Sequence, residues 1–210
     1  SKMPSGAVLQ GSVSEMQAFV ETMRETFASL GMTEELSFSF TSETALDKLC
    51  VPMDSHLRRA IPIMNPLTDE YPLVRTTLLT SILENAARNV ARKNLDLRLF
   101  DIAPVFFPKA LPLTELAEEK LKAAGLLTGR RSPVAWDTDN TVVDFYDAKG
   151  VLERFLTVIG VQKYTVERGE HFAMHPGKTA FFKKGRDVIA ILGEIHPTVA
   201  ANFGIGQSVY

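Results

Sequence analysis

The chain has 210 residues, 45% of them apolar, enough for one large domain or two small ones with a real core. Its 23 Lys and Arg against 25 Asp and Glu leave a formal charge of -2, which excludes a strongly basic field toward nucleic acid and confines any RNA contact to a local patch. One cysteine, Cys50, excludes an internal disulfide and is expected as a buried, inert thiol.

No apolar run is long enough to span a bilayer, and SKMPSGAV lacks the core of a signal peptide, so a cytoplasmic location is expected. Residues 1–11 are read as a disordered leader and 12–210 as a single core, an excerpt of a longer polypeptide. The first element is a helix from Ser12 to Gly31. Ser12 and Glu15 have capping-box spacing, and Gly31 stands where a left-handed C-terminal cap belongs. Met16, Phe19, Val20, Met23, Phe27 and Leu30 recur at steps of three and four, a wide apolar stripe that must be covered. Leu36, Phe38 and Phe40 then alternate with Ser37, Ser39 and Thr41, the period of a half-buried strand.

A short helix (Ser42 to Leu49) precedes a proline-punctuated loop, Val51 to Pro72. The period predicts a second long helix from Thr77 to Lys93, with Leu78, Leu79, Ile82, Leu83, Ala86, Ala87, Val90 and Ala91 inward and Asn94 at its end. Leu97 to Phe107 reads as a strand in which Pro104 requires an edge, bulge or strand end. Thr114 to Lys122 is expected as a short helix and Ala123 to Thr128 as a strand. Asp144 can cap a third helix that Gly160 ends, with Ala148, Val151, Leu152, Phe155, Leu156 and Ile159 buried. Strands follow at Tyr164 to Val166, Thr179 to Lys183 and Val188 to Gly193, the last two joined at Lys184-Gly185-Arg186-Asp187, and a helix from Pro197 to Phe203 comes after them. Helices mixed with hairpin-linked strands place the chain in the α+β class, an antiparallel sheet flanked by helices.

Residue chemistry shows no active site. His171, His175 and His196 lie near carboxylates, but Pro176-Gly177 reads as a turn and His196-Pro197 as a helix start. Asp137, Asp139, Asp144 and Asp147 lack the spacing of a cation loop and read as solvated loop and helix cap. Arg88, Arg92, Lys93 and Arg98 read as a solvated face, with phosphate contact the lesser alternative. Phosphate loops, dinucleotide fingerprints and nucleophile elbows are missing from the sequence, so no catalytic, cofactor or metal residues are assigned.

Four segments in order carry a resemblance: Asn65-Pro-Leu-Thr-Asp-Glu-Tyr-Pro-Leu-Val-Arg75-Thr-Thr-Leu-Leu79, Asp144-Phe-Tyr-Asp-Ala-Lys-Gly150, His175-Pro-Gly-Lys178 and Gly193-Glu-Ile-His-Pro197. They resemble the signatures of bacterial phenylalanyl-tRNA synthetase beta subunits. The resemblance implies a class II synthetase-like core without chemistry, scaffolding a catalytic alpha subunit in an alpha2 beta2 complex. ATP and magnesium would then belong to the holoenzyme and not to this chain, with a weak tRNA contact at most. Active class II cores hold the phosphate of ATP with an arginine in their second motif, whereas Phe107 stands at the matching position here. The stretch Gly204-Ile-Gly-Gln-Ser-Val209 has Val where a third-motif arginine would fall. The opening helix and strand match the first motif, by which such synthetases associate. The implied interface residues are therefore Met16, Phe19, Met23, Phe27, Phe38 and Phe40, and an isolated chain that leaves them uncovered is expected to pair with itself. Two alternatives remain open: an active ligase whose missing arginines lie in flanking sequence, and a regulatory paralogue that binds a small metabolite.

Overall fold

The computed structural model describes residues 11–66 and 68–210; the expected leader, apart from Gly11, lies outside the described residues. Helix α1 runs Glu15–Ser29. Its capping box is closed by Ser14 and Gln17, not by Ser12 and Glu15: the Ser14 hydroxyl accepts from the Gln17 amide, and the Gln17 side chain accepts from the Ser14 N–H. Gly31 ends the turn at φ +76°, a conformation that costs glycine nothing.

The chain then makes strand β1 (Thr33–Glu34), an irregular stretch, strand β2 (Phe40–Thr41) and helix α2 (Glu43–Lys48). The continuous strand expected over Leu36 to Phe40 is absent. Thr33 and Glu34 pair with the large sheet, the Glu35 N–H adds a last bond to Phe100 O, and Phe40 pairs instead with Val74. A 3₁₀ turn at His56–Arg58 and two-residue strands β3 (Ile61–Pro62) and β4 (Leu73–Val74) give the proline-rich connection some regular structure, since β2, β4 and β3 form a small antiparallel sheet. Cys50 is exposed, not buried: it adopts a left-handed backbone after α2, so that Leu49 and Val51 on either side take the core positions.

Helix α3 (Leu79–Ala91) leads to the long hairpin of β5 (Leu97–Phe107) and β6 (Glu118–Thr128). The left-handed turn after α3 is taken by Lys93 at φ +68° instead of Asn94. Thr114 to Lys122 is not a helix. Its second half opens β6, where Glu118 pairs with Phe107 and Lys120 with Val105, so sheet pairing overrides the helix propensity of Glu, Lys and Leu. Pro104 sits inside β5 at no cost to the hairpin. The polar groups of alternate residues share one side of a strand, and the Phe106 N–H bonds the Arg75 carbonyl on the side away from β6, so the N–H that Pro104 lacks faces that side too.

Helix α4 (Phe145–Val158) begins at Asp144, whose carboxylate caps Tyr146 and Asp147 while Asp147 returns a bond to the Asp144 N–H. Strands β7 (Thr165–Arg168), β8 (Met174–Lys184) and β9 (Asp187–Ile195) follow, then helix α5 (Pro197–Asn202) capped by His196. His175-Pro176-Gly177 lies within β8 as an irregularity between the pairs Met174–Ile195 and Thr179–Gly193, a bulge where a turn was expected.

Three hydrogen bonds from the last residues join the two halves of the sheet. Leu127 and Tyr210 exchange N–H···O bonds of 2.8 and 2.9 Å, and the Ile195 N–H donates to Val209 O at 2.7 Å. The resulting order is β1, β5, β6, Ser208–Tyr210, β9, β8, β7; β5–β6, β7–β8, β8–β9 and the Thr128–Val209 bridge are antiparallel, and β1–β5 is parallel. Leu97 and Leu99 pack with α2, α3 and α5 on one face; Phe100 and Ile102 pack with α1 and α4 on the other. Phe27 of α1 stacks between Phe100 and Phe155, with ring centroids 4.9 and 4.5 Å away.

Candidate functional site

The stretch from Glu35 to Phe38 inverts the expected alternation, and a buried arginine explains why. Arg75 is 1% exposed; its Nε donates to Pro104 O at 2.9 Å, and its Nη1 donates to Ser37 Oγ at 2.6 Å and Phe38 O at 3.3 Å. Ser37 in turn donates to the Asp101 carboxylate, and Glu35 accepts from the Asn85 side-chain amide. An arginine sealed from water must have its donors met, so the polar residues of the stretch turn inward. Leu36 and Phe38 are thereby left 89% and 80% exposed. Burial pushes the Glu35 carboxyl above its usual range, with the Asn85 bond opposing and Asp101 adding to the rise.

The other expected interface residues divide. Met16 and Phe19 project from α1 at 62% and 41% exposure, whereas Met23 and Phe27 are buried in the chain's own core, and Phe40 is half-buried in the small sheet. Arg75, Asp101, Ser37 and Glu35 were not singled out from the sequence. The one signal was Arg75 itself, which stands in the Asn65 to Leu79 segment that carries the resemblance.

Phe107 ends β5 at the mouth of the long hairpin, in a shallow cavity of about 220 Å³ lined by His56, Arg59, Phe107, Pro108, Glu118 and Lys120. Its ring lies 5.6 Å from the His56 ring, and the Lys120 ammonium sits 5.5 Å from its centroid while pairing with Glu118 at 3.2 Å. A phenyl ring offers no donor to a phosphate, so this position cannot supply the charged fork an arginine would. Gly204 to Val209 forms the approach to the closing strand, with Val209 buried.

The two His-Pro segments meet across β8 and β9. The His175 and His196 rings stack at 6.3 Å, each accepting a backbone N–H two residues on, from Gly177 and Thr198. Lys178 pairs with Glu194, which also accepts from Ser208 Oγ at 3.0 Å and Tyr210 OH at 3.3 Å. Burial alone would raise the Glu194 carboxyl, but these donors hold it below its usual range. The segments therefore pin the closing strand to β9. Asp144 and Asp147 cap α4 and pair with Arg131, and among the described residues no group of three or more His, Cys, Asp or Glu is placed to hold a metal ion. Arg88, Arg92 and Lys93 are exposed, while Arg98 donates to the Arg131 carbonyl. No helix among the described residues is long and apolar enough to cross a membrane.

The family described as phenylalanyl tRNA synthetase beta chain CLM domain matches residues 1–210. The chain belongs to this family. The phenylalanine–tRNA ligase beta subunits of Syntrophotalea carbinolica and Geobacter sulfurreducens are each 37% identical over 210 residues, 99% of this chain and 26% of theirs. That of Clostridium acetobutylicum is 33% identical over 215 residues, again 26% of its length. The CLM domain thus corresponds to about a quarter of the full beta chains it matches. In three dimensions it resembles pyrrolysyl-tRNA synthetase from Desulfitobacterium hafniense, with a TM-score of 0.68 at 12% identity over 93% of this chain and 64% of that one. At that identity the likeness is one of fold: the CLM domain has a synthetase-like architecture.

Proposed function

We propose that this chain is the non-catalytic synthetase-like core of a phenylalanine–tRNA ligase beta subunit, and that it scaffolds a catalytic alpha subunit in an alpha2 beta2 complex in the cytoplasm. The observation that carries the reading is the outward presentation of Leu36 and Phe38. Two large apolar side chains stand almost fully in water on a stretch that buried hydrogen bonds lock from behind, an arrangement with no benefit to the isolated domain. Met16 and Phe19 are further uncovered apolar side chains, on α1. Burying one such side chain is worth roughly 1.5–3 kcal/mol, so the four can anchor a partner of complementary apolar surface.

Phe107 supports the non-catalytic half of the reading: the position matching the phosphate-holding arginine carries a ring without a donor, and the cations beside it, Arg59 and Lys120, come from other positions. ATP and magnesium then act on the alpha subunit, and attachment of phenylalanine to tRNA is a property of the assembly; the exposed Arg88, Arg92 and Lys93 offer at most a weak tRNA contact. The test is co-purification of a full beta subunit with its alpha subunit, comparing the parent with Phe38→Glu and Leu36→Glu. Both variants should fold yet lose the partner, and the beta subunit alone should show no ATP–pyrophosphate exchange with phenylalanine. Retention of the alpha subunit by both folded variants places the interface elsewhere, and exchange by the beta subunit alone overturns the scaffold reading.

A further inference from the structure

Beside Leu36 the surface opens into a cleft of about 320 Å³ between β1, the end of α3 and the start of β5. Its polar lining includes Glu34, Glu35, Asn85, Asn89, Asp96 and Arg98. Almost every one of these groups is already satisfied. Glu34 is bound by Arg24 at 2.7 Å, Asp96 accepts from the Arg130 N–H at 2.8 Å, and Arg98 is turned to the Arg131 carbonyl. Three asparagines form a ladder in which each side-chain amide donates to the next: Asn94 to Asn89 at 3.1 Å, Asn89 to Asn85 at 2.9 Å, and Asn85 to Glu35 Oε2. Aligned amides of this kind reinforce one another and favour negative charge at the receiving end. The exception is Glu35. It is 5% exposed, and its second carboxylate oxygen, Oε1, has no hydrogen-bond partner.

The charges around it do not balance. Glu35 and Asp101 are two buried carboxylates, and Arg75 is the one buried cation between them, already bonded to Ser37, Phe38 and Pro104. Arg88 attracts Glu35 only through space from an exposed position. A buried carboxylate oxygen without a donor is expensive, and a cationic donor brought to the cleft would offset that cost.

We propose that this cleft receives a basic side chain, the guanidinium or ammonium of an arginine or lysine, from the same partner chain that covers Leu36 and Phe38, and that it closes on Glu35. The inference rests on the scaffold reading. Leu36 lines both the apolar surface and the cleft, so a chain lying on one reaches the other without a new interface. Apolar contacts at Leu36 and Phe38 supply the area, and the Glu35 pair supplies register, because only a partner with a cation at the right position completes the charge.

The experiment uses full alpha and beta subunits, with Glu35→Gln and Phe38→Glu in the beta subunit. Each is read for the dissociation constant of the complex at low and high salt and for the melting temperature of the beta subunit alone. Gln keeps an acceptor for Asn85 and removes the charge. Glu35→Gln is expected to weaken the complex about tenfold or more at low salt, with a smaller loss at high salt, while the beta subunit alone melts no lower than the parent. Unchanged affinity with Glu35→Gln overturns the inference while leaving the scaffold reading intact if Phe38→Glu still releases the partner. A melting temperature that falls in step with affinity also overturns it, since Glu35 is then only a structural group. Saturable binding of free arginine or agmatine to the beta subunit, abolished by Glu35→Gln and compatible with a bound alpha subunit, reassigns the cleft to a small molecule and overturns it as well.

Discussion

Arg75 Nη1 lies 3.7 Å from Asp101 Oδ2 with both side chains sealed from solvent, and Ser37 bridges the two. Removing one member of such a pair strands the other charge, which costs about 3–5 kcal/mol. Arg75→Ala and Asp101→Ala should therefore each lower the urea midpoint sharply. The double substitution should lose much less than the sum, and additive losses would mean that the two side chains are not coupled.

The stripe on α1 divides between the domain's own interior and the surface. Phe27→Ala removes a ring stacked on Phe100 and Phe155 and should cost about 3–5 kcal/mol of folding stability. Met16→Glu, on an exposed position, should change stability by no more than about 0.5 kcal/mol yet reduce pairing with itself or with the alpha subunit. Thermal melts and light scattering after size exclusion separate the two effects, and equal melting losses for both variants contradict the division.

The caps give a finer comparison. Ser14→Ala should destabilise by about 1 kcal/mol and Ser12→Ala not measurably, because only Ser14 accepts an amide of the first turn. Asp144→Ala should cost at least as much as Ser14→Ala, since Asp144 caps two amides and also pairs with Arg131. Chemical denaturation of the three variants ranks them, and Ser12→Ala in first place would restore the cap at the earlier serine.

Burial raises the carboxyl of Glu84 in the folded chain, with Arg88 and Lys48 opposing. A carboxyl whose folded pKa lies above its unfolded value adds stability at low pH, and that stability is lost as pH rises through the folded value. Glu84→Gln should accordingly raise the melting temperature at neutral pH and have little effect below the unfolded carboxylate range. Melting curves of parent and variant across that span check the sign, and a variant less stable at neutral pH reverses it.

Helices α1, α3 and α4 were legible because their apolar residues repeat at the helical period, and because Gly31, Asp144 and Gly160 mark their ends with particular backbone needs. Alternation over Leu36 to Phe40 was equally visible, but which face turns inward is set by Arg75 and Asp101, 38 and 64 residues from Ser37. No local pattern carries that information. Glu118 to Lys122 failed for a related reason, as its composition favours a helix while its partner, the end of β5, imposes a strand. Phe107 stood out only through the family resemblance, because a phenylalanine draws notice solely against a pattern that expects arginine. The cleft at Glu35 was invisible, since its three asparagines read as helix surface until Glu35 is laid beside them.

The seam at Ser208–Tyr210 bears on how the domain is made. On a ribosome, β1, β5 and β6 emerge first and β7 to β9 later, and each group can pair within itself. The strand that joins them comes after both. Until it arrives, β6 and the Ile195 end of β9 each present a row of unpaired amides and carbonyls that another nascent chain could zip onto. A beta subunit stalled or cleaved before Ser208 would therefore be prone to aggregate through its sheet, with α1, α3 and α4 already formed.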